Sequence, residues 1–248
     1  MATCFQKAIE HAFKLFTRKI ALPVPIPTED LLELGSLFNQ ITKEELNLSP
    51  DILHERVPGP KDPPVTYMKI IDNNVMTVSV FILRKGSRLP LHDHPGMYGF
   101  LKVIHGSVTI DTYSPLDQSH FNMPVASLQN LHQRFGRKIP AFPTRFENTR
   151  TFSAKDDCAI LTPEGRNIHE IYAESGTAAF LDILAPPYCT ERFSQDGFRP
   201  CTYYKEVEAS FTSAERATVS NLHRQRLVQI SKIVTNNQQT LHLGHTVM

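Results

Sequence analysis

The chain has 248 residues, enough to bury a sizeable core as one large domain or two small ones. It is 41% hydrophobic and 21% charged with a formal net charge of +1, which excludes a global electrostatic pull toward nucleic acid or anionic membrane. Its apolar runs fall far short of a bilayer span, so no nucleic-acid partner and no membrane partner is expected.

The opening stretch, "MATCFQKAIEHAFKLFTRK", reads as a basic amphipathic helix docked on the body, with Phe5, Ala8, Ala12, Phe13, Leu15 and Phe16 on one apolar face. Glu10 and the lack of serine argue against a mitochondrial presequence. Pro23, Pro25 and Pro27 break the helix, and Thr28 is placed to cap a second one. Thr42 and Glu45 have capping-box spacing with Ile41 and Leu46 as a hydrophobic staple, which predicts a short third helix. "VPGPKDPP" (57–64) is a linker without helix or ladder capacity.

From residue 65 the hydrophobic period changes to two. "VTYMKII", "VMTVSVFIL", "GFLKVIH", "SVTIDTY", "CAILTP", "IHEIYA", "AAFLDIL" and "CTYYKEV" are short, β-branched or aromatic, and divided by turn residues. Such a series predicts a sandwich, barrel or jelly roll. The polar, proline-containing stretch 115–150 reads as a long surface excursion, with a helix at "VASLQNLHQRF". Beyond 210 the strand signal ends; "SAERATVSNLHRQRLVQISKIV" reads as a helix, and the last dozen residues as a loose tail. The resulting division is 1–60, an N-terminal helical segment packed on the barrel; 61–210, the main domain; and 211–248, an extension. A monomer is expected. The four cysteines (4, 158, 189 and 201) form no CxxC pair and are too few for a disulfide scaffold. Without a secretory signal, reduced thiols in the cytoplasm are the expectation, with the nucleus next and the mitochondrion behind.

Eleven histidines are present, and most read as surface or satisfied core residues. His92 and His94 differ because of their frame. Gly86, five residues, His92, one residue and His94 make the first half of the cupin signature. The Glu slot of that signature falls on Gly99 or Tyr98, so the acid is missing. Pro163, Gly165 and His169 in "PEGRNIH" supply the second half-motif; its flanking Gly and Asn slots hold Asp157 and Ala173. Side chains i and i+2 of a strand share a face, so His92 and His94 can grip one ion while His169 arrives from a facing strand. Three neutral imidazoles suit a first-row transition metal and leave positions open for chemistry. Without a carboxylate ligand a divalent ion keeps both positive charges, so the site can accept an anionic atom such as a thiolate.

"LPLHDHPGMYGFLKVIHGSV", "PPVTYMKI" (63–70), "CAILTPEGRNIHEI" (158–171), "AAFLDILAPPY" (178–188) and "CTYYK" (201–205) together resemble the cysteamine (2-aminoethanethiol) dioxygenase and plant cysteine oxidase family of cupin thiol dioxygenases. Asp93 between the first two histidines is similar to the animal branch; the tail after 210 departs from the pattern. The resemblance implies a mainly β fold, a cupin double-stranded β-helix (jelly roll) with N-terminal helices. It implies Fe(II) held by His92, His94 and His169, and addition of both atoms of O2 to a thiol to give a sulfinic acid. The substrates it implies are cysteamine and proteins or peptides with an N-terminal cysteine, the latter linking oxygen sensing to the N-degron pathway.

Asp182 stands alone in an apolar strand, where an unpaired charge is unfavourable. It reads as a hydrogen-bond partner of a ligand histidine or of the substrate amine, against a satisfied core role. Cys201 and Tyr203 stand i and i+2 on one strand. The resemblance implies that Tyr203 lies near the iron and that a Cys201–Tyr203 thioether can form; core packing is the plainer reading. Tyr98 divides evenly between pocket and packing. A non-catalytic metal-binding cupin and another cupin enzyme, such as an isomerase, are the competing functions.

Overall fold

The computed structural model describes residues 2–22, 24–54, 63–115, 141–189, 197–207, 227–232 and 243–245. Three helices come first: α1 (Cys4–Ala21), α2 (Thr28–Asn39) and α3 (Pro50–Leu53). Thr3 caps α1 in a reciprocal capping box with Gln6. The buried face of α1 is Ala8, Ala12, Leu15 and Phe16; Phe13, expected on that face, is 43% exposed. Pro27, and not Thr28, occupies the N-cap of α2, and no side chain caps it. The third helix also starts elsewhere than expected. Residues 43–47 form a turn ending at Asn47 with φ 50°, and Ser49 caps α3 instead. Glu45 keeps half of the expected box, one carboxylate oxygen accepting from the Thr42 amide at 3.4 Å, while the other accepts from the Cys4 amide at 2.7 Å, at the positive end of α1.

The strands are β1 (Val65–Asp72), β2 (Thr77–Leu83), β3 (Arg88–Asp93), β4 (Tyr98–His105), β5 (Ser107–Pro115) and β6 (Ala141–Ser153). They continue with β7 (Ala159–Leu161), β8 (Ile168–Tyr172), β9 (Ala178–Ala185), β10 (Tyr204–Val207), β11 (Leu227–Lys232) and β12 (Leu243–His245). They form two six-stranded sheets, β12-β1-β2-β9-β4-β7 and β10-β11-β6-β5-β8-β3. Every pairing is antiparallel except β1 with β12. This is a mainly β jelly roll with N-terminal helices, one of the three architectures the alternating pattern allows and the one the resemblance implies.

Three stretches differ from expectation. Residues 243–245, expected in a loose tail, form β12 because the free edge of β1 takes them up in a parallel ladder. Residues 141–153 belong to a strand, not a surface excursion, because β5 and β11 pair with both of its edges. Residues 227–232 are a strand rather than part of a helix, recruited by the ladders of β6 and β10. The helix expected at 125–135 lies outside the described residues, as do 213–226 of the C-terminal one.

The first sheet is apolar on both faces. Tyr98, Phe100, Leu181 and Ile183 pack against α1 and α2, with Phe38 and Phe100 rings 5.9 Å apart. The alternate residues Leu101, Val103, Ala178 and Phe180 face the second sheet and meet Val108, Ile110, Phe152 and Ile171. Strand alternation therefore sends Asp182 inward, on the face of Phe180. Gly106, at φ 65°, closes the β4–β5 turn where a Cβ would lie 2.4 Å from the Thr177 carbonyl oxygen. No helix among the described residues is long and apolar enough to cross a membrane.

Candidate metal centre

The register of β3 on β8 places His92 directly opposite His169. That register shifts between Leu89 and His92, so both side chains turn into the barrel although they are three residues apart. Pro90, which has no amide to give to the ladder, occupies the irregularity. His94 lies just past the end of β3. Its amide donates to the Asn167 carbonyl oxygen at 3.0 Å, and Asn167 Nδ2 donates back to the His94 carbonyl oxygen at 2.5 Å. The three imidazoles form a nearly equilateral group, with ring centroids 4.8, 4.7 and 4.8 Å apart. All three are buried, and one nitrogen from each lies within 4.8 Å of the others.

Hydrogen bonds aim two of these rings. His92 Nδ1 donates to the Pro90 carbonyl oxygen at 2.8 Å. His94 Nδ1 donates to the Tyr188 hydroxyl at 2.7 Å, and that hydroxyl donates to the Asp93 carbonyl oxygen at 2.6 Å. A proton on Nδ1 leaves the Nε2 lone pair pointing inward. Burial lowers the His92 pKa to about 4, and it holds His94 and His169 well below the usual histidine value, helped by the neighbouring imidazoles. The rings are thus neutral near pH 7, the state that metal ligation requires. His94 Nε2 and His169 Nε2 are 3.1 Å apart. With its proton on Nδ1, His94 Nε2 is an acceptor, served either by a proton on His169 Nε2 or by a cation between the two nitrogens, and three neutral imidazole nitrogens fit a first-row divalent metal.

The missing acid has a steric counterpart. Of its two slots, Tyr98 faces the helices, where its hydroxyl accepts from the Ile26 amide at 3.2 Å. Gly99 faces the barrel, where a Cβ would come 2.8 Å from Leu161 Cγ. Leu161 fills the volume a carboxylate would need. "PEGRNIH" departs from the PxGxxH form by one extra residue before His169; within that stretch Arg166 adopts φ 56°.

The histidines open onto a cavity of about 370 Å³. Its walls include Leu89, Phe180, Tyr188 and Ser79, and its outer part Tyr67, Lys69, Asp72 and Thr77. Asp182, Cys201 and Tyr203 all line it, so each site residue expected from sequence reaches this one space. No side chain among the described residues donates a hydrogen bond to Asp182 or pairs with it, and burial pushes its carboxyl up to about 7. Tyr203 bridges to the His92 backbone with rings 6.2 Å apart. Cys201 and Tyr203 both precede β10 instead of lying within it; the Cys201 thiol, pushed up to about 11 by burial, hydrogen-bonds with the phenols of Tyr188 and Tyr203. None of the four cysteines is in a disulfide.

The PCO_ADO family profile matches residues 37–245, which hold all of the described strands. The chain belongs to the PCO_ADO family. It is 40% identical over 199 residues to the 2-aminoethanethiol dioxygenase of Mus musculus, covering 75% of this chain and 72% of that protein. It is 30% identical over 199 residues to Plant cysteine oxidase 1 of Arabidopsis thaliana, covering 78% of this chain and 61% of that protein. In this PCO_ADO chain the sequence reading missed Tyr188, Asn167 and the anchoring role of Asp93. Asp93 accepts from the Thr202 amide at 2.8 Å and the Tyr204 hydroxyl at 2.6 Å, pinning the segment that carries Cys201 and Tyr203. Their positions within "LHDHPGM", "PEGRNIH" and "APPY" were visible; their partners were not.

Proposed function

We propose that the protein is a non-haem iron thiol dioxygenase in which His92, His94 and His169 hold Fe(II). Its substrates are 2-aminothiols, either cysteamine or the N-terminal cysteine of a peptide or protein. The overall change is RSH + O2 → RSO2H: two S–O bonds form, the O–O bond breaks, and sulfur gives up the four electrons that O2 gains. When bound, the ion supplies a docking point for sulfur and a path for electrons between sulfur and O2. The observation that carries this reading is the convergence of three neutral, buried imidazoles on the same cavity as a half-buried carboxyl group that has no hydrogen-bond partner among the described residues.

The protein's own groups perform the rest. Pro90 and Tyr188 hold two imidazoles in one tautomer, so the centre is organised before substrate arrives. Asp182 receives the substrate ammonium. A carboxyl near 7 ionises readily once a cation lies beside it, and the pair satisfies a charge that is otherwise unfavourable in the barrel. Tyr203, protonated because burial raises its pKa, offers an O–H donor beside His92. Cys201 beside it is positioned for a thioether to the Tyr203 ring. The apolar walls at Leu89 and Phe180 limit water around the reacting sulfur. When the substrate is a protein, this chemistry turns oxygen supply into a mark on an N-terminus, which supports a cytoplasmic oxygen-sensing role through the N-degron pathway.

The test is aerobic incubation of iron-loaded protein with a peptide beginning with Cys, followed by mass spectrometry. The expected product gains two oxygen atoms on the N-terminal residue. N-acetylating the peptide removes the basic amine and suppresses the reaction. Equal rates for the acetylated and free peptides would overturn the amine recognition, and no oxidation of either would overturn the dioxygenase reading.

A further inference from the structure

Three cavity-lining residues form one row across the first sheet. Asp182 on β9 is paired with Ser79 on β2, and Ser79 in turn with Lys69 on β1. Directly paired residues share a face, and all three line the wide cavity. Strands lie about 4.8 Å apart, so the row runs roughly 10 Å outward from Asp182 to Lys69. An aromatic row flanks it on one side: Phe180, Phe81 and Tyr67, with successive ring centroids 5.2 and 5.0 Å apart. Thr77 and Asp72 flank it on the other. The polar atoms of the row keep unused capacity. The Ser79 hydroxyl donates to the Tyr67 hydroxyl at 3.0 Å, and its oxygen can still accept. Lys69 Nζ donates to Asp72 at 2.6 Å, and Asp72 also accepts from Thr77 Oγ1 at 3.4 Å. Among the described residues Asp72 is the one hydrogen-bond partner of Lys69, so its other ammonium donors stay free at the cavity mouth.

We propose that this row is a subsite for the main chain of a peptide substrate: Ser79 accepts the amide N–H of the second residue, and Lys69 donates to a carbonyl oxygen farther along. The proposal rests on the dioxygenase reading above, with the ammonium of the N-terminal cysteine on Asp182 as there. Order, spacing and charge support it. From Asp182 outward the row presents an acceptor, an acceptor and a donor, and a peptide presents its ammonium, its next N–H and a following carbonyl in that order. An extended chain advances about 3.3 Å per residue, so a row of roughly 10 Å spans about three residues. The Lys69–Asp72 pair is neutral as a unit, which suits a peptide dipole; an acidic side chain that met Lys69 would also meet Asp72. Cysteamine ends at its amine and gains nothing from Ser79 or Lys69. The row therefore favours peptides over cysteamine and tolerates varied side chains after the cysteine.

Calorimetric titration of the iron-loaded protein under nitrogen tests the subsite, with cysteamine, Cys-Gly-amide and Cys-Gly-Gly-amide as ligands. In wild type each added residue should tighten binding several-fold. Lys69→Met, which keeps a straight side chain and removes its donors, should abolish the gain from the longer peptide. Methylating the amide nitrogen of the second residue should weaken binding to wild type several-fold and make no difference to Ser79→Ala. Lys69 is exposed, so Lys69→Met decides the matter if Ser79→Ala, in the core, fails to fold. Equal affinities across the length series in wild type, or an unaltered series in Lys69→Met, would overturn the subsite. So would a preference for Glu over Gly at the second or third residue that vanishes in Lys69→Met, because Lys69 would then read side-chain charge. Absence of thiol oxidation in air by the iron-loaded wild type would instead overturn the function proposed above.

Discussion

The Tyr188 hydroxyl accepts the Nδ1 proton of His94 at 2.7 Å while donating to the carbonyl of Asp93 at 2.6 Å, so one phenol fixes both the ring and the backbone of a candidate ligand. Loss of such an orienting partner typically lowers metal affinity by about 10- to 100-fold. Tyr188→Phe should therefore weaken iron binding by that order while leaving the barrel folded. A chelator competition titration checks this; unchanged affinity would mean that packing alone holds the His94 ring.

Replacing His169 with Ala removes one of three converging nitrogens and leaves His92 facing an alanine across the ladder. Iron retention and thiol turnover should both be lost, with little change in thermal stability of the metal-free protein. Metal analysis after gel filtration, paired with a mass-spectrometric activity assay, reads both. Full activity in His169→Ala would remove this histidine from the site.

Acid should release the metal and loosen the fold. The three imidazoles have pKa values below those of an unfolded chain, His92 at about 4. The unfolded chain therefore binds more protons than the folded one as pH falls. The stability these rings carry is complete above the ordinary histidine value of about 6.5 and is lost as pH drops through the folded values. The Tm of metal-free wild type should fall over that window, and the fall should be shallower in His92→Ala. Parallel pH curves for the two proteins would contradict the assignment of neutral, buried rings.

Asp182 acts in the opposite sense. Its folded pKa, about 7, lies above the usual carboxylate range. The folded protein holds this proton more tightly, so stability is complete below the unfolded value of about 3.9 and declines as pH rises to about 7. Asp182→Asn removes that decline. The metal-free variant should gain Tm over wild type at mildly alkaline pH and lose the gain in acid, yet oxidise aminothiols far more slowly. Undiminished activity would reduce Asp182 to a structural residue.

Cys201 and Tyr203 hydrogen-bond side by side at the cavity wall, next to His92. Aerobic turnover of the iron-loaded protein should link some molecules through a thioether, with loss of two hydrogens taken up by O2. Peptide mapping should detect the linked fragment in wild type and not in Cys201→Ser. If no linked fragment appears after extended turnover, Cys201 serves only as a neighbour to the two phenols.

What the sequence determined by itself was whatever short-range periodicity encodes. Alternation located the strands of "VTYMKII" and "AAFLDIL", glycine and proline marked the turns, and two half-motifs singled out three of eleven histidines. The isolation of Asp182 in an apolar run was equally local. Tertiary structure decided everything that depends on a partner distant along the chain. Residues 141–153 look polar because much of that strand faces solvent; only pairing with β5 and β11 makes it a strand. Thr42 and Glu45 fit a capping box and Glu45 does accept from the Thr42 amide, yet its other oxygen binds the amide of Cys4, 41 residues away, and only a turn forms there. Gly99 reads as a lost acid, but Leu161 across the ladder is what leaves no room for one. His92 meets His169, and His94 meets Tyr188, because sheet register and loop packing bring them together. Periodicity specifies which face a side chain takes, whereas its neighbour on that face is set by non-local ladders and packing, which no local window contains.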